Sequence, residues 1–100
     1  MMNSGLRLYH AEMGFSREEL LREIHNAVVP YPITIQKDGI VAMHLDGRSA
    51  MLRITNDRSR NLGSLVLPVI DVTIQFENFT EQQYNEFVKR FRIRLQRGGG

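Results

Sequence analysis

One hundred residues, 42% of them apolar and 24% charged, make a chain of one domain's length with an ordinary globular balance, which excludes wholesale disorder. There is no cysteine, so disulfides, thiolate metal sites and a cysteine nucleophile are excluded together, and a reducing compartment fits. The net charge of +2 conceals an asymmetry: Lys89, Arg90, Arg92, Arg94 and Arg97 fall in one acid-free stretch, while the rest of the chain sets eight basic residues against eleven acidic.

The first residues, Met-Met-Asn-Ser-Gly, lead into no apolar core of signal-peptide length. No apolar run approaches the ~18 residues of a membrane span, so the expectation is a soluble, cytoplasmic protein without a membrane partner. Leu6 to Met13 reads as a first strand, with Leu6 and Leu8 on one side and Arg7 and Tyr9 on the other. A helix start follows. Ser16 as N-cap with Glu19 three residues on makes a capping box, and Phe15 with Leu20 makes the hydrophobic staple. Leu20, Leu21, Ile24, Ala27 and Val28 then form one apolar stripe at helical spacing. Pro30 and Pro32 end this helix near Ala27 or Val28.

Ile33 to Gln36 has the composition of a short strand, and Lys37-Asp38-Gly39 turns it back into Ile40 to Leu45. Asp46-Gly47 repeats the turn signal before Ser49 to Thr55, in which Ala50, Leu52 and Ile54 share a face. Asn56 to Ser64 reads as the longest polar loop. Ile70, Val72, Ile74 and Phe76 then alternate with Asp71, Thr73 and Gln75, the clearest half-buried strand in the chain. Pro68 either delays its pairing to Val69 or marks a bulge or an edge. Thr80 with Gln83, flanked by Phe79 and Tyr84, repeats the capping device for a second helix with Tyr84, Phe87, Val88, Phe91 and Leu95 on one face. Ile93 falls opposite that face. Residues 92–96 alternate as a strand would and are left open, with helix favoured.

The expected fold is a two-layer α+β domain over residues 1–97, in the order β-α-β-β-β-β-α. It has a four- to five-stranded, mainly antiparallel sheet with both helices on one face. Residues 98–100 make a flexible glycine tail.

Few constellations carry chemistry. His10 with Glu12, and His44 with Asp46, each present two potential ligands on one strand face, and neighbouring strands would bring them together. Without that, no metal and no cofactor is expected. No nucleophile elbow, P-loop or dinucleotide fingerprint is present. Arg58, Arg60 and Asn61 in the 57–64 loop can cradle an anion, with Arg48 and Arg53 beside it if the meander folds that way. On a helix Arg90, Arg94 and Arg97 form one basic ridge, flanked by Lys89 and Arg92. The ending Arg94-Leu-Gln-Arg-Gly-Gly-Gly100 resembles the glycine tails of ubiquitin-like and sulfur-carrier proteins, which implies an activated terminal carboxylate. That resemblance covers the tail alone. Those proteins run strand-strand-helix-strand, whereas here a helix pattern precedes the glycines.

The leading expectation is therefore a non-catalytic domain that binds another protein, or a second copy of itself, through the open sheet face or a sheet edge. The alternative is nucleic-acid or polyanion binding through Arg58, Arg60, Arg90, Arg94 and Arg97. A small enzyme or a glycine-tailed carrier comes third.

Overall fold

The computed structural model describes residues 6–96. Strand β1 (Arg7–Met13) leads into helix α1 (Arg17–Ala27). Strands β2 (Ile33–Ile35), β3 (Val41–Leu45), β4 (Arg48–Leu62) and β5 (Leu65–Glu77) follow, and helix α2 (Glu81–Arg94) closes the order. This is the expected α+β arrangement with all five strands antiparallel, in the spatial order β1-β5-β4-β3-β2. The strongly alternating strand β5 lies between β1 and β4, where two neighbours satisfy its backbone.

The alternation fixes which face is covered. Ile70, Val72, Ile74 and Phe76 of β5 join Ala50, Leu52 and Ile54 of β4 and Val41 and Met43 of β3 in one core. Leu20 and Ile24 of α1 and Phe87 and Phe91 of α2 close it from above. Rings dominate its centre: Phe76 meets Phe79, Tyr84 and Phe87 edge-on at 4.9, 5.0 and 5.0 Å. The opposite face carries His10, Glu12, Arg53, Thr73 and Gln75 and has no helix over it.

On β1 the side facing the core is that of Tyr9 and Met13. Leu6 and Leu8 therefore stand outside, and Leu8 is 65% exposed. Helix α2 runs on to Arg94, which settles residues 92–94 as helical and leaves Ile93 exposed.

Both helix starts form as their residues dictate. Ser16 Oγ accepts from the Glu19 N–H, and Glu19 Oε1 accepts from the Ser16 N–H. Thr80 and Gln83 exchange the same pair of bonds at 3.1 and 2.9 Å. Thr80→Ala is expected to cost about 1 kcal/mol, measured by urea unfolding, because the Gln83 N–H loses its acceptor. The turns also match their residues. Asp46 and Gly47 both take positive φ, 52° and 80°, the type I′ hairpin geometry between Leu45 and Arg48. Gly39, at φ 84°, closes the β2–β3 loop as its N–H donates to Gln36.

The expected 57–64 loop is not a loop. Strands β4 and β5 continue past the sheet as a two-stranded arm, from Arg58 opposite Val69 to Leu62 opposite Leu65. Strand β1 stops opposite Ile70 and β3 stops opposite Leu52, so no other described strand pairs with the arm. Its polar sequence suits a ribbon with water on both faces, which needs no apolar alternation. Gly63, at φ 62°, holds the first central position of the tip turn, as type II′ requires. The arm draws the molecule out to 52 × 29 × 21 Å.

Strand β5 is thus paired from Leu65, ahead of the expected Val69, and Pro68 lies opposite Ser59. The closing pair Leu62–Leu65 exchanges hydrogen bonds, so Ser59–Pro68, three rungs on, is a non-hydrogen-bonded pair. The missing proline N–H would have faced the free edge, so the ladder loses nothing.

Candidate functional site

Four of the five arginines singled out from the sequence are described, and they do not converge. Arg58 and Arg60 stand at the root of the arm on the uncovered sheet face, already held by carboxylates. Arg58 donates to Glu12 and Asp71 and to the Asn56 carbonyl, and Arg60 donates to Glu12 at 2.9 Å. Asn56 donates a 2.7 Å hydrogen bond to Asp71. That bond, against the opposing effect of burial and with help from the Arg58 guanidinium, holds the Asp71 carboxyl below its ordinary range. The cluster braces the arm where a bulge between Thr55 and Arg58 sets its direction.

Arg90 and Arg94 belong to the helical layer. Arg94 donates to the Asn26 carbonyl of α1 at 3.0 Å and ties the two helices together. Arg90 lines a cleft of about 190 Å³ with Tyr31, Arg48 and Glu86. There Arg48 lies over the Tyr31 and Phe79 rings, donates to the Tyr31 hydroxyl at 2.9 Å and faces Asp46 at 3.7 Å. Burial raises the Tyr31 hydroxyl pKa, with Arg48 acting the other way. The cleft falls short of the roughly 300 Å³ of ordinary ligand pockets, and its Arg48 and Tyr31 bond to each other. Arg97 and the glycine tail lie outside the described residues.

The histidine pairs also stay apart. His10 is on β1 and His44 on β3, with β5 and β4 between them. Three strand spacings amount to about 14 Å, too far for one ion. Among the described residues no group of three or more His, Asp or Glu side chains can hold a metal. Nor is any described helix long and apolar enough to cross a membrane.

A groove of about 1010 Å³ runs between the outer edge of β1 and the flank of α2. Its floor is strand backbone. The Leu8 carbonyl accepts from the Tyr84 hydroxyl at 3.2 Å, so Leu8 directs its backbone groups away from β5. By the two-residue period of a strand, His10 and Glu12 do the same, and theirs open onto the groove. Their side chains turn to the uncovered face instead, where His10 Nδ1 meets Thr73 Oγ1 at 3.0 Å and Glu12 is held by Arg58 and Arg60. The far wall is α2: Val88, Lys89, Arg92 and Ile93, with Leu95 beyond them. Ile93 is 58% exposed, an apolar residue off the core stripe that finds its place here.

Sequence reasoning noted Ile93, Lys89 and Arg92 but not what they share. Their common wall depends on β1 being an outer strand with α2 beside it. Compared with known proteins, the chain matches no family model, no curated protein and no solved structure.

Proposed function

We propose that this chain is a non-catalytic protein-interaction domain that takes up an extended segment of its partner as a sixth strand along β1. The observation that carries this reading is the state of the sheet's free edges. Exposed edges in soluble proteins are ordinarily blunted by shortness, proline, charge or a bulge. Strand β2 has three residues. The arm edge of β5 carries Pro68. The free stretch of β4 is bulged and carries Arg53, Asp57, Arg58 and Arg60, and Arg17 caps its Ile54 carbonyl at 3.3 Å. Strand β1 is seven residues long and without proline, its acid is neutralised on the other face, and past the Leu8 carbonyl held by Tyr84 the outward backbone groups of His10 and Glu12 meet no described strand. It borders the groove of about 1010 Å³ described above. Main-chain hydrogen bonds to such an edge supply affinity, and the groove wall supplies selectivity. A cytoplasmic setting belongs to the same proposal, in keeping with a chain free of cysteine.

Polyanion binding has less behind it. The arginines proposed for it divide between two layers, and those on the arm already face carboxylates.

His10→Pro is the test, because the backbone N–H it removes faces the groove and not β5. Ten-residue peptides of random sequence retained by the wild-type protein on an array are expected to bind this variant about tenfold less well or worse, while its thermal unfolding stays cooperative. Peptides that bind both forms equally would rule out strand addition. Should the variant not fold, amide exchange of the wild type decides instead: the His10 and Glu12 amides gain protection with peptide, or the reading fails.

A further inference from the structure

The groove has a charge of its own, and building on the strand-addition reading above, we infer that the segment it takes is acidic: an extended polypeptide with Asp or Glu at the alternate positions that face α2. Lys89 and Arg92 stand on the wall and form no ion pair among the described residues. The carboxylate among the lining residues is that of Glu12, and it is turned away to Arg58 and Arg60. A strand laid here therefore meets two cations and no competing acid from the wall.

The spacing agrees. Lys89 and Arg92 lie about one helical turn apart, on the order of 5 Å along the axis. Alternate side chains of an extended strand lie about 7 Å apart. Two successive helix-facing side chains of the guest thus come level with the two cations in turn, within the reach of long basic side chains. The intervening positions of the guest fall beside His10 and Glu12 on the uncovered face, where Glu12 is already held by Arg58 and Arg60, so uncharged β-branched residues suit them as cross-strand neighbours. Ile93, one turn beyond Lys89, gives the guest an apolar contact on the helix side.

The partner this chemistry recognises is a polypeptide and not a nucleic acid. Two cations are few for a phosphate backbone, whereas a row of outward N–H and C=O groups pairs with another main chain.

The test uses the full chain and three matched sets of ten-residue peptides, with Val, Thr or Ile at one set of alternate positions and Glu, Gln or Lys at the other. The Glu set is expected to bind about fivefold more tightly than the Gln set, and the Lys set least, the size set by two solvent-exposed ion pairs. Replacing both cations, as Lys89→Gln with Arg92→Gln, is expected to erase that preference, so that the Glu and Gln sets bind this variant equally. Amide exchange reports the place, with protection at His10 and Glu12. If all three sets bind there equally, the acidic preference is wrong and strand addition stands. If none protects those amides, both fall. An oligothymidylate that displaces the Glu peptides and outbinds them would assign the groove to nucleic acid and overturn the inference.

Discussion

Phe76→Ala is expected to lower the unfolding free energy by about 3–5 kcal/mol, a large share of the roughly 5–15 kcal/mol that holds a domain of this kind folded. Phe76 has no exposed surface and sits at the crossing of the two layers. Three rings, Phe79, Tyr84 and Phe87, meet it edge-on near 5 Å. Each belongs to a different part of the C-terminal unit: the residue before the N-cap, the first turn of α2 and its middle. Removing the Phe76 ring therefore leaves a void that α2 cannot fill without losing its cap geometry or its contact with α1. Each aromatic pair also adds about 0.5–1.5 kcal/mol beyond the area it buries. Urea unfolding followed by far-ultraviolet circular dichroism gives the value directly. Leu65→Ala, on the exposed arm, is the control and is expected to change stability by less than about 0.5 kcal/mol. A loss below about 2 kcal/mol for Phe76→Ala would mean that this ring is not the keystone of the core.

The same aromatic unit shows what a sequence can disclose. Phe79, Thr80, Gln83 and Tyr84 act within five residues of one another, so local spacing alone predicts the helix start. The Ser16–Glu19 box and the Asp46-Gly47 turn are legible for the same reason. The alternation from Ile70 to Phe76 is legible because one face of β5 is wet and the other dry.

What the sequence hides falls into two kinds. The arm is hidden because both its faces are wet. Asp57 to Ser64 has the composition of a loop, and what makes it a strand is pairing with residues 65–69 across a two-residue turn. The candidate site is hidden because it consists of backbone. Whether His10 directs its N–H to a neighbour or to the groove depends on β5 lying on one side of β1 and no described strand on the other. Nothing in the residues Arg7–Met13 states that order. Likewise Arg90 and Lys89 are adjacent in sequence, yet the packing of α2 sends one to the cleft beside Tyr31 and the other to the groove. The basic ridge was real as a spacing, but its orientation was a tertiary fact.

Replacing Asn56 separates two contributions at the root of the arm. Asn56 takes φ 50°, the left-handed region, at the bulge between Thr55 and Arg58. It also donates the hydrogen bond that is the main cause of the low Asp71 pKa. Asn56→Gly keeps the backbone conformation and removes the bond, whereas Asn56→Val removes the bond and strains the backbone as well. A β-branched residue at this φ costs about 1–2 kcal/mol, so the valine variant is expected to lie that far below the glycine variant at every pH.

The other contribution depends on pH, and its sign follows from Asp71. In the folded protein its pKa is lowered from 3.8, so its ionised form favours the native state. That stability is fully present above the unfolded pKa and is lost as the pH falls through the folded one. The gap between wild type and Asn56→Gly is therefore expected to hold steady at neutral pH and to shrink once the pH drops below about 4. Arg58 still pairs with Asp71 in the glycine variant, so its Asp71 pKa rises only part of the way back. Titrating the Asp71 carboxyl carbon by NMR in both proteins checks this directly, with the higher midpoint expected in Asn56→Gly. Equal midpoints would mean that the Asn56 bond does not persist in solution, and that Arg58 alone fixes the direction in which the arm leaves the sheet.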